Sequence, residues 1–127
     1  MKIDEKTAER LGYPFNYWVC CGGFSVTEQD LLYLEGIKNH PCFQLIIARY
    51  QILSPVLDWA NIRINAIVFY QHFYNDSACP KGIKSVLFAM IGLERGRLEK
   101  CNMLTFLEFR RPYVEQWLNS VVQKNYP

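Results

Sequence analysis

Two cysteines stand side by side in this chain, Cys20 and Cys21, inside the run Gly12-Tyr-Pro-Phe-Asn-Tyr-Trp-Val-Cys-Cys-Gly-Gly-Phe24. Adjacent thiols can hold a soft metal or close a strained redox ring, and a metal or cluster site needs further ligands at short spacing. Cys42, Cys79 and Cys101 are scattered, and no Cys-x-x-Cys occurs. Zinc, cluster and thioredoxin-type chemistry therefore do not fit. The pair reads as two small residues of a tight loop, one buried and one half exposed.

A second set is Asp58, Asn61, Asn65 and His72, at offsets of 0, 3, 7 and 14. At about 100° per residue these share one narrow arc of a helix. An acid and an imidazole on one face are the parts of a general base or half of a metal site. His40 is the only other histidine, so no second His-bearing element completes a metal site. The stripe reads as the single solvated edge of an otherwise apolar helix, or else as the polar lining of a groove. A cysteine beside His40 or His72 would make a nucleophilic dyad, which only the fold can assemble. Gly-x-Ser-x-Gly, P-loop, Gly-x-Gly-x-x-Gly and His-Glu-x-x-His patterns are all missing. The expectation is no catalytic residues, no metal and no cofactor: not an enzyme.

The third set is basic: Arg95, Arg97, Lys100, Arg110 and Arg111. Affinity for phosphates scales with the number of cations on one surface, so this half of the chain carries the nucleic-acid reading. Thr27–Gly36 followed by Pro41–Leu53 has the size of a helix-turn-helix. Its second segment, Cys-Phe-Gln-Leu-Ile-Ile-Ala-Arg-Tyr-Gln, is too apolar to read base edges. The fourth set is aromatic: Tyr13, Phe15, Tyr17, Trp18 and Phe24. Tyrosine and tryptophan bury large areas with few rotors and keep a polar tip, which suits a protein interface. Such a segment is core, interface or the lining of a site.

Helices must position all of these. Residues 2–11 make a short helix ended by Gly12. Pro14 and Gly22-Gly23 then predict an irregular aromatic segment, with Tyr17-Trp18-Val19 as a short extended piece. Ser25-Val-Thr-Glu28 reads as a capping box for the next helix, which Gly36 and Asn39-His40-Pro41 end. Phe43, Ile46, Ile47, Tyr50 and Leu53 follow helical spacing. After Ser54-Pro55, apolar residues from Val56 to Tyr74 cover most of a circumference, which marks a central helix packed on several sides. A fifth helix starts near Lys81, and its Gly92 and Gly96 would admit a close neighbour. Met103–Arg110 is a short helical piece, and Arg111-Pro112 opens a last helix with Val114, Trp117, Leu118, Val121 and Val122 inward. The expected fold is all-α: one domain, 1–127, a compact bundle of five to seven helices with the irregular aromatic segment near the N-terminus.

Composition narrows the role. The chain has 127 residues, half of them apolar, 15% aromatic and 20% charged. It is long enough to bury roughly two thirds of its unfolded surface, and its low charge leaves apolar surface for a partner or a second copy. A net charge of +2 gives little general attraction to nucleic acid or acidic lipid. The bases do gather late: from Lys81 onward eight face four acids. An odd count of five cysteines suggests free thiols and a reducing compartment. The charged start is no signal peptide, and no apolar run approaches the ~20 residues of a membrane span.

These readings converge on a small cytoplasmic protein-binding module, an adaptor, inhibitor or regulatory subunit, that docks through Tyr13, Phe15, Tyr17, Trp18 and Phe24 with Arg110 and Arg111 orienting the contact. A homo-oligomer is a further way to cover its apolar surface, and no membrane partner is expected. The alternative is a nucleic-acid-associated regulator using Arg95, Arg97, Lys100, Arg110 and Arg111.

Overall fold

The charged N-terminal stretch forms α1 (Glu5–Leu11), started by Asp4, whose carboxylate accepts from the Thr7 amide at 2.7 Å. Gly12 ends it at φ 68°, a left-handed conformation that costs glycine nothing. The structure, a computed structural model, describes residues 4–50 and 56–125, with side chains for 4–50 and 59–121. Leu53, Ser54-Pro55 and the side chains of Val56, Asp58 and Val122 fall outside these.

The aromatic segment is helical where extended backbone was expected at Tyr17–Val19: α2 runs Phe15–Gly22. Its proline and glycines stand at its ends. Pro14 is the N-cap, where its missing N–H is no loss. Gly23 is the C-cap at φ 69°, and the Gly23 and Phe24 amides both bond the Val19 carbonyl. Phe15 and Val19, four apart, are fully buried, and Phe15 stacks on Phe43 with centroids 5.7 Å apart. Burying such a ring stabilises by about 1.5–3 kcal/mol, enough to hold a helix of one isolated face.

The next cap is displaced by two residues from Ser25 and Glu28. α3 (Glu28–Lys38) starts after Thr27, whose hydroxyl accepts from the Asp30 amide (3.2 Å) while the Asp30 carboxylate accepts from the Thr27 amide (3.0 Å). Val26 and Leu31 flank this box and pack with the core, which fixes the entry of the chain. Pro41 opens α4 (Pro41–Tyr50), as its spacing predicts. α5 (Val56–Tyr74) is the central helix, packed against α4, α6 (Lys81–Lys100) and α7 (Thr105–Asn125). Eight of its side chains between Ala60 and Tyr70 join the buried set.

Two expectations fail in the last helices. Gly92 and Gly96 have open space around them, so they admit no neighbour. Pro112 lies inside α7 and does not open a new helix. Leu107, Val114 and Leu118 are all buried on one face across the proline, so continuous packing on α4 and α5 offsets the roughly 3 kcal/mol a helical proline costs. The result is an all-α bundle, with seven helices among the described residues packed around one contiguous apolar cluster. No helix among the described residues is long and apolar enough to cross a membrane.

Candidate functional site

α2 lies across α6 and forms one wall of a cleft of about 550 Å³. Tyr13, Tyr17 and Trp18 make the rim, with Cys21 beside them. Tyr13 and Tyr17 stay about 60% exposed, while Trp18 is half-buried and meets Tyr17 edge-on at 6.1 Å. Phe15 is 0% exposed and belongs to the core, so it leaves the expected contact set. Phe24 is half-buried against that core and is not part of the cleft. The segment thus divides by helical phase: one face is core and the other lines a site.

The opposite wall is the face Met90, Leu93, Glu94, Arg97 of α6, spaced by three and four residues. Glu94 is the floor. It is 6% exposed, an acid buried where carboxylates are rarely found unpaired. Its Oε2 accepts from the Tyr50 hydroxyl at 3.0 Å, and its Oε1 accepts from Arg97 at 2.8 Å. Arg63 reaches Oε2 from α5 at 3.5 Å. The Arg63 guanidinium lies over Trp59, 4.1 Å from the ring centroid, and near Tyr50 at 5.4 Å, which holds its plane toward the acid. Burial, and then the Glu94 charge, push both the Tyr50 and Tyr70 phenols far above their ordinary range. These hydroxyls stay neutral, and that of Tyr50 donates to Glu94. The floor is a polar network on α4, α5 and α6 in which the buried Arg63 Nε is held by charge and has no hydrogen bond among the described residues.

Both Glu94 oxygens accept hydrogen bonds, which ties the acid to α4 and to its own helix. Cys20 and Cys21 are both exposed on α2; the expectation of one buried and one half-exposed loop residue is corrected, because successive helical positions on a surface helix flank its buried stripe.

The other sequence candidates do not assemble with the cleft. The polar stripe of α5 splits. Asn61 and Asn65 line a second pocket, while His72 is exposed at the helix end, edge-on to Phe73 at 5.2 Å. His40 meets Cys42 through the backbone: its Nδ1 accepts from the Cys42 amide at 3.1 Å. The Cys42 thiol is fully buried, and burial pushes it up to about 11, which makes it a poor nucleophile.

The basic set is dispersed as well. Arg97 belongs to the cleft, Arg110 lines the second pocket, and Lys100 is exposed at the end of α6. Arg111 binds Glu108 through two nitrogens at 2.9 Å each and also holds Gln71. The Arg111 bonds hold the Glu108 carboxyl below its usual range, and Arg95 adds to this from α6. Sequence reasoning missed Glu94, Arg63, Tyr50 and Tyr70. The only sequence signal for them was an acid, Glu94, in phase with Ile83, Val86, Met90 and Leu98 on an otherwise apolar face. No protein-family model, curated protein or solved structure matches this chain.

Proposed function

We propose that this chain is a protein-binding module, an adaptor, inhibitor or regulatory subunit, whose docking site is the cleft between α2 and α6. The observation that carries this reading is the exposure of Tyr13 and Tyr17 beside half-buried Trp18 over a cleft of about 550 Å³ whose floor acid is already paired. A floor whose acid is already paired favours an apolar guest, since insertion strips no unpaired carboxylate of water. A partner's apolar side chain enters between the rings, and Arg97, on the cleft wall, meets a carbonyl or carboxylate beside it. Five free thiols support a reducing, cytoplasmic setting. Exposed Phe106, Phe109 and Tyr113 along α7 support self-association as a further contact.

The test begins with peptides selected from a displayed random library against the native chain. Those that bind are measured again on Trp18→Ala and Tyr17→Ala. Loss of about tenfold or more in affinity, with helical circular dichroism unchanged, is the expected result. Peptides that bind both variants as well as wild type overturn the assignment of this cleft. If Trp18→Ala unfolds the chain, Tyr17→Ala alone decides, because its ring is largely exposed.

A further inference from the structure

The second pocket, of about 340 Å³, lies between α4, α5 and α7, away from the aromatic helix. Its polar groups differ in kind from those of the cleft. Arg49, Asn61, Asn65 and Arg110 all line it. Among the described residues, none of these four side chains makes a hydrogen bond or ion pair to the protein. The Nε of Arg110 is buried with no partner at all. Arg10, Arg63, Arg97 and Arg111 each have a carboxylate at 2.7–3.5 Å, whereas among the described residues Arg95 on α6 and both guanidiniums of this pocket have none. A buried donor without an acceptor costs about 1–3 kcal/mol. Arg110 is in that state, and Arg49, Asn61 and Asn65 line the same pocket with their polar ends unused by the described residues, which describes a site that lacks its ligand-side partners.

We infer that this pocket binds a small aromatic carboxylate. Two guanidinium forks match a carboxylate in plane and charge. Asn61 and Asn65, four apart on α5, present carboxamides that donate and accept, and so suit a ring hydroxyl or a similar substituent. The remaining lining is apolar, with Ile46, Ile62 and Val114, and the rings of Trp117 and Tyr113 supply faces for a planar guest. The size lies within the range of small-molecule sites, roughly 300–1,000 Å³.

The probe is 4-hydroxyphenylacetate, titrated into the isotope-labelled chain while the three tryptophan indole N–H signals are followed by NMR. Saturable movement of the Trp117 signal, with Trp18 unmoved, is expected. Arg110→Met and Arg49→Met each weaken binding by about 10- to 100-fold, and Arg110→Lys falls between wild type and Arg110→Met because it keeps charge without the fork. Three comparison probes decide the chemistry. Equal binding of the neutral 4-hydroxyphenylacetamide overturns the anion half of the inference. Equal binding of acetate overturns the aromatic half. Tighter binding of phenyl phosphate overturns the choice of carboxylate. Movement of Trp18 in place of Trp117, or no movement at all, overturns the site. Arg110→Met removes an unpaired buried group, so its fold is retained and a loss of binding in that variant is not a loss of structure.

Discussion

Replacement of Glu94 by leucine tests whether the cleft floor is the hub that holds α4, α5 and α6 together. The Arg63 side chain is only 15% exposed and that of Glu94 8%. Removing the acid leaves Arg63 buried among Trp59 and Tyr50 with no counter-charge. Breaking a buried pair from one side costs about 3–5 kcal/mol. The Arg97 contribution is small, below about 1 kcal/mol, because that side chain is 43% exposed and solvent screens it. Loss of the Tyr50 hydrogen bond to a charged acceptor contributes part of the total, and Tyr50→Phe isolates it at about 1.5–3 kcal/mol. The single change should therefore remove about 3–5 kcal/mol and lower Tm by about 10–20 °C. Arg63→Met with Glu94→Leu removes both charges and exposes nothing unpaired except the Tyr50 hydroxyl. It should recover at least about 2 kcal/mol relative to the sum of the single changes. Urea unfolding followed by far-UV circular dichroism measures all four corners of this cycle. Strict additivity, or a Glu94→Leu protein within about 1 kcal/mol of wild type, would show that the acid is a bystander and that the packing of α5 on α6 alone sets the floor.

Two further outcomes follow from the same physics. Burial, and after it the charge of His72, hold His40 below its usual 6.5; the unfolded chain therefore takes up this proton first, so the His40 contribution is complete above about pH 6.5 and lost as pH falls from there toward the folded value. Urea midpoints taken between about pH 7.5 and 5.5 should drop with acid in wild type, and His40→Asn, which keeps an acceptor for the Cys42 amide, should flatten that drop. The thiols should divide as well: a chromogenic disulfide reagent titrates Cys20, Cys21 and Cys101 in the native chain and reaches Cys42 and Cys79 only after denaturation.

Helices with a clear apolar stripe were legible from spacing alone. Pro41, Lys81 and the central position of Val56–Tyr74 all followed from caps and periodicity. The errors came where one local signal has two structural meanings. Gly22-Gly23 reads as a break in a segment or as its C-terminal stop, and the left-handed φ of Gly23 shows the second. Ser25 and Thr27 are equally good caps in isolation. The choice of Thr27 came from Val26 and Leu31 reaching the core together, which is a tertiary event. Pro112 reads as a helix start because that is its commonest place, yet Leu107 and Val114 stand in phase across it, and their burial outweighs the lost hydrogen bond.

The sites were less legible than the fold for a related reason. Tyr50, Arg63 and Glu94 are 13 and 31 residues apart in the chain, on three helices, and nothing in their local sequence marks them as partners. Only the packing angle of α4 and α6 on α5 brings them within hydrogen-bond reach. The apolar character of α4, which excluded it as a recognition helix, has the same origin. Cys42, Phe43 and Ile46 face the core. Ile47 and Tyr50 line the cleft on one side, and Leu45 and Arg49 line the second pocket on the other. A helix of ten residues that serves a core and two cavities spreads its apolar residues beyond the core face and keeps a single charge, Arg49. Spacing alone places Ile46, Ile47 and Tyr50 on one stripe, and only packing against the neighbouring helices divides that stripe between core and cavity.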